Sequence, residues 1–137
     1  MGLALLSSAI WVMPMHGQGV DAVVGAHPHV VQDTSRIGGM PVVYSMGNAV
    51  SNMSKENTRL ELMVTLRFTH DDWSGRKRML EPELRFMWCC LPGCLIPGYA
   101  TLFVDEWEGR RAAWRQPSDY DEMMRTVERV RAGTGIR

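Results

Sequence analysis

This 137-residue chain has no excess of charge of either sign: 15 Lys and Arg stand against 15 Asp and Glu. A surface without net charge offers no electrostatic reason to bind nucleic acid or an anionic membrane. The short basic clusters, Arg76-Lys77-Arg78 and Arg110-Arg111, are flanked by acids and read as solvated faces. Cysteine is scarce as well. Cys89, Cys90 and Cys94 are an odd number in one short stretch, which excludes a disulfide framework. No histidine lies near them in sequence to complete a zinc site, so they read as buried at a strand end. No Lys or Arg precedes Arg36, so the apolar run over residues 3–15 lacks the basic flank of a secretory leader. The run is also too short to span a bilayer. It reads instead as a buried helix over residues 4–16, short or kinked near Pro14. There is no internal repeat and no low-complexity segment.

What is present is ordinary for a soluble globular fold: 45% apolar and 22% charged residues. A chain of this length is one domain or a piece of one, and can bury about two thirds of its unfolded surface. A short apolar strand is expected over 21–25 and a second over 41–45. Between them, 33–39 reads as a turn in which Gly38-Gly39 supplies positive φ. Residues 51–58 are polar and loop-like. Leu60, Leu62, Val64, Leu66 and Phe68 alternate with Glu61, Thr65 and Arg67, which predicts a strand over 60–68. Leu80, Leu84, Phe86 and Trp88 alternate in the same way with Glu81, Glu83 and Arg85. The two should pair antiparallel around a loop at 70–75, with Arg67 and Arg85 neutralising Glu61, Glu81 and Glu83. Pro92-Gly93 and Pro97-Gly98 break the chain before a third strand at 100–104. A helix over 118–132 should start at Ser118 as N-cap, bury Tyr120, Met123, Met124, Val127 and Val130, and stop at Gly133.

The chemistry-bearing stretch is residues 20–32, VDAVVGAHPHVVQ. An apolar run ends in Gly25-Ala26, and His27 and His29 follow with Pro28 between them. In open α/β sheets, ligands sit at the carboxyl edge of the strands. Imidazole is the commonest protein metal ligand. On a regular strand, residues i and i+2 point the same way, so both rings could converge. Spacing alone also permits a β-turn with two incidental histidines.

GAHPHVVQ, followed after a short turn by PVVYSMGNAVS, resembles the bacterial capsule-synthesis family often called CapA, or poly-γ-glutamate synthesis protein. Gly25, His27, Pro28, His29, Val30 and Gln32 match that family's Gly-x-His-Pro-His-Val-x-Gln segment. Tyr44, Ser45, Gly47 and Asn48 match its Tyr-Ser-x-Gly-Asn strand. Ala26 stands where many members have another histidine. The resemblance implies an α/β fold, here an α+β-like fragment: the C-terminal part of a metallophosphatase-like (calcineurin-type) β-sandwich flanked by helices. Residues 1–137 would form a single portion of that domain.

The resemblance also implies work in synthesis or export of an anionic cell-surface polymer. It implies a divalent metal (Mn, Zn or Fe), two ions in a full-length parent, held partly by His27 and His29. The implied partners are an anionic polymer or a phosphate-containing small substrate, and other capsule-synthesis proteins, with no nucleic acid. The implied location is the cell envelope. Upstream family motifs such as Ala-Asn-Asn-His and His-Trp-Gly are not in the sequence, so the chain reads as a truncated member. Its open sheet edge is expected to self-associate. The alternative is a non-catalytic accessory module that keeps the fold without a complete metal site. Three further residues are candidates for lining the site. Asn48 would share the histidines' edge if the first two strands are parallel. Its amide could ligate metal, hold a substrate carboxylate or phosphate, or cap its own turn. Gln32 is a similar candidate, and Asp33 lies toward the same edge.

Overall fold

Val23 and Val24 form strand β1 (Val23–Val24), which runs parallel to β3 (Met40–Val43), with Val23 opposite Val42 and Val24 opposite Val43. These coordinates come from a computed structural model that describes Val12 and residues 14–137. Val12 and residues 14–16 are helical, and the rest of the helix expected over 4–16 lies outside the described residues. Val12 packs with Met40 and Val42 in a small cluster on this first sheet.

The segment expected as a turn over 33–39 is mostly a strand. β2 (Thr34–Ile37) pairs antiparallel with β3, and the sheet order is β1-β3-β2. Gly38 and Gly39, at φ 56° and 91°, make the whole turn by themselves. Positive φ at both central residues matches the twist of the strands they join, so a two-residue hairpin suffices and Thr34–Ile37 is free to pair.

The second sheet holds β4 (Leu60–Thr65), β7 (Glu83–Cys90) and β8 (Ala100–Phe103), all antiparallel, in the order β4-β7-β8. The ladder expected to run on through residue 68 breaks. Residues 68–70 and 77–79 form their own two-stranded arm, β5 (Phe68–His70) with β6 (Lys77–Met79). Pro82 stands just before β7 and has no N–H to donate, so the β4–β7 ladder cannot continue past it. The arm projects. Phe68 is 63% exposed and Leu80 46% exposed, although the alternation had placed both on the core face. The expected charge surface is also rearranged. Arg67 pairs with Glu83, Arg85 with Asp105 and Glu106, and Arg36 with Glu81. Glu61 joins none of them, being buried.

Leu60, Leu62, Phe86, Trp88 and Leu102 face the main core, as their alternation requires. A short helix, α1 (Val104–Trp107), leaves β8, and α2 (Pro117–Thr134) closes the core with Tyr120, Met123 and Val127. Each fully buried side chain of this size contributes about 1.5–3 kcal/mol. α2 begins one residue earlier than Ser118 because Pro117 takes the first helical position, where its fixed φ fits and its missing N–H costs nothing. Gln116 is the N-cap residue, without a side-chain bond. The helix passes through Gly133 and ends at Gly135, which adopts the left-handed conformation at φ 71°. Cys89 and Cys90 lie inside β7 and Cys94 in the following turn, all buried free thiols. Burial pushes the Cys90 thiol up to about 12, so it is inert.

Arg59 locks α2 to the second sheet. Its guanidinium is 2.7 Å from Asp119 and 3.2 Å from Glu122, donates from Nε to the Cys89 carbonyl at 3.0 Å, and lies 4.4 Å from the centre of the Trp88 ring. Asp119, in the first turn of α2, is the buried counter-charge. Removing one partner of a buried pair strands the other. Arg59→Ala is therefore expected to cost about 3–5 kcal/mol, read as a lower urea midpoint. Pairing Arg59→Met with Asp119→Leu should recover much of the loss. A double variant no more stable than the single one would show that packing, not stranded charge, sets the cost.

Candidate functional site

The site begins at Gly25, the residue that ends β1. Its N–H donates to the Val43 carbonyl at 2.7 Å, and its carbonyl accepts from Met46 N–H at 3.1 Å. A Cβ here would stand 2.3 Å from the Tyr44 carbonyl oxygen, so only glycine fits. The chain then leaves the sheet. His27 has φ 103° and His29 φ 62°, both in the region that disfavours side chains. The strand alternation expected to align the rings is thus absent. A turn brings them together instead, with ring centres 6.3 Å apart and planes tilted by 38°. The chain returns at Val31, which bridges to Met46, and at Gln32, whose N–H donates to the Ser45 carbonyl at 3.1 Å.

Because β1 and β3 are parallel, the segment after β3 emerges on the histidines' edge. Asn48 sits there. Its Oδ1 is 2.6 Å from His29 Nδ1. Its Nδ2 donates to the His29 carbonyl at 3.3 Å and the Thr58 carbonyl at 3.1 Å, and lies 3.7 Å from Met53 Sδ. Asn48 therefore does not cap its own turn; it grips His29. The other candidates are placed differently. Asp33 turns its carboxylate onto its own chain, accepting from Thr34 N–H at 2.7 Å. Gln32 is half-buried and held through its backbone. His16 lies 2.9 Å from the Gly38 carbonyl, at the opposite end of the sheet. Asp21 lines the same cavity as His16. His70 pairs with Asp72 at 3.0 Å on the arm.

Two imidazoles on one tetrahedral ion, with metal–nitrogen bonds near 2.0–2.1 Å, would have ring centres about 5 Å apart. The 6.3 Å separation of His27 and His29 is wider. It suits one ring on each of two neighbouring ions, which in two-metal sites stand about 4 Å apart. Among the described residues, no group of three or more His, Cys, Asp and Glu side chains comes together as a metal cage. The donor set at this edge is the two rings.

Sequence reasoning missed the part of two residues that flank this edge. Thr58 offers Asn48 only a backbone carbonyl, which no side-chain pattern can reveal. Glu61 looked like one acid on a solvated strand face. That face is covered: Thr101 Oγ1 donates to the Ala49 carbonyl at 2.8 Å, and Cys89 Sγ lies 3.6 Å from the Ser51 carbonyl. Residues 49–51 therefore cross it. Gly47 bridges to Glu61 itself. Glu61 is 2% exposed, and its Oε1 has no hydrogen-bond partner.

Loss of water pushes the Glu61 carboxyl from its ordinary 4.5 up to about 8. Below about 4.5 the folded and unfolded chains are both protonated at this group, and its protonation is pH-neutral for stability. Between there and about 8, the unfolded chain has released a proton that the folded chain keeps. Stability should therefore fall as pH rises through this window, by on the order of 1 kcal/mol per pH unit. Glu61→Gln should flatten that slope in urea denaturations run from acid to mild alkali. An unchanged slope would mean that the carboxyl is not the source.

Among the described residues, no helix is long and apolar enough to cross a membrane. No curated protein and no solved structure matches the chain. Residues 11–53, the stretch that carries both the His-Pro-His turn and Asn48, match the family described as bacterial capsule synthesis protein PGA_cap.

Proposed function

We propose that this chain contributes His27 and His29 to a divalent-metal centre in a capsule- or poly-γ-glutamate-synthesis protein with a metallophosphatase-like fold. The observation that carries the reading is the meeting of two imidazoles, 6.3 Å apart, at the carboxyl edge of parallel strands. The family match over the same residues supports it. Bound Mn, Zn or Fe would supply Lewis acidity and an activated water. The chain's own part is to hold the two rings. Gly25 lets the turn lie tight against β3, and Pro28 limits the freedom lost on ordering the pair. The remaining ligands of a pair of ions would come from residues outside those described. The substrate in this reading is an anionic surface polymer or a phosphate-containing small molecule, handled at the cell envelope alongside other capsule-synthesis proteins and in a self-associated form.

Titration of the metal-free chain with Zn²⁺ or Mn²⁺ tests the local claim. Weak uptake is expected, falling in acid because binding needs neutral imidazole. His29→Ala should remove most of it. Equal uptake by both proteins would make the His-Pro-His turn a structural element and the chain an accessory module.

A further inference from the structure

Asn48 grips His29 twice, and the two contacts together decide where the ring carries its proton. The amide has one end that only donates and one that only accepts. Two carbonyl oxygens, those of His29 and Thr58, face one end at 3.3 and 3.1 Å. Neither can donate, so that end must be the NH₂ group. With the amide turned the other way, Oδ1 would oppose two carbonyl oxygens and both hydrogen bonds would be lost. The orientation is thus fixed by the surroundings, and Oδ1 points at His29 Nδ1 across 2.6 Å. An amide oxygen accepts only, so Nδ1 must be the donor. In the neutral ring, Nε2 is then left with the lone pair.

We propose that Asn48 is a positioning residue that holds His29 in the Nδ1–H tautomer and so presents Nε2 as the ring's ligand-binding atom. An isolated neutral histidine favours the opposite tautomer, with the proton on Nε2. Asn48 reverses that preference before any ligand arrives. The same amide fixes the backbone: its bond to the His29 carbonyl ties down a residue at φ 62°. Its anchor is independent of the histidine turn. Thr58 is held by its own N–H and Oγ1 on the Lys55 carbonyl, at 2.9 and 2.6 Å, and precedes the buried Arg59. The turn that leads into the second sheet therefore sets the orientation of a ring at the edge of the first. As the idea that Nε2 takes a metal rests on the metal-centre reading, while the tautomer does not, the two can be tested apart.

Long-range ¹H–¹⁵N correlation spectra of the metal-free chain, at a pH where the ring is neutral, read the tautomer directly. His29 should show a protonated Nδ1 and an unprotonated Nε2. Asn48→Ala should return it to Nε2–H and leave the His27 tautomer and the amide spectrum of α2 unchanged. A wild-type His29 with its proton on Nε2, or an Asn48→Ala protein that still holds Nδ1–H, would overturn the proposal. The wild-type spectrum decides even if the variant does not fold. Adding Zn²⁺ should then shift His29 Nε2 and not Nδ1, and Asn48→Ala should weaken uptake by about 10–100-fold. Coordination through Nδ1 would overturn the proposal. Failure of Zn²⁺ to bind to a chain whose His29 is Nδ1–H would sink the metal-centre reading and leave the positioning role standing.

Discussion

Met46 joins the two sheets through a single peptide segment. Its N–H donates to Gly25 at the end of β1, and its carbonyl accepts from Leu62 in β4 at 2.7 Å. Val31 bridges to it from the returning histidine turn, and the next residue, Gly47, bridges to Glu61. Gly47 sits at φ 80°, and a Cβ there would meet the Leu60 carbonyl oxygen at 2.7 Å. The crossing therefore demands glycine for both its conformation and its closeness. Everything at the candidate site inherits its position from this crossing. β1 delivers His27 and His29 on one side. The crossing delivers Asn48 on the other, and β4 pairs beside it.

The parts of this arrangement that rest on local chemistry were legible in the sequence. The apolar runs pointed to β1 and β3 of the first sheet, and the family segment led to the residues that meet. Leu60, Leu62, Phe86 and Trp88 announced their core face by alternation. The failures have a common physical form. Residues 34–37 carry no apolar alternation, so only the pairing offered by β3 makes them a strand. Pro82 ends a ladder that side-chain pattern alone would continue. Phe68 and Leu80 keep a core-like pattern on an arm with no core beneath it. Arg59 and Glu61 are neighbours in sequence and both are buried, one paired and one not. Charged residues rarely lie inside without a partner, and Arg59's partners, Asp119 and Glu122, come from a distant segment that a local pattern does not join.

The two buried ionisable side chains divide the labour of the second sheet. Arg59 has two carboxylates, a carbonyl and an aromatic face around it, so it fixes α2 against β4 and β7. Glu61 has an oxygen with no partner, and loss of water holds its carboxyl well above the usual carboxylate range. A paired charge specifies geometry; an unpartnered carboxyl, by keeping its proton when buried, makes stability depend on pH. The dependence arises directly under residues 47–51, the strip that carries Asn48.

Strain at the histidine turn must be balanced by contacts around it. Residues held in sparsely populated backbone regions cost on the order of 1–3 kcal/mol each, and His27 and His29 are two of them. A typical hydrogen bond returns about 0.5–1.5 kcal/mol net. Gly25 contributes two backbone bonds at the start of the turn, Gln32 one at its end, and Asn48 two directly on His29. Their sum is of the same order as the strain, so no single one of them suffices. His29, at the mild end of the left-handed region and held by Asn48, is the better supported ring. His27 has the larger φ and relies on its neighbours in the chain. The two imidazoles are thus unequal: one is fixed in orientation and tautomer before a ligand arrives, while the other is positioned chiefly by the turn.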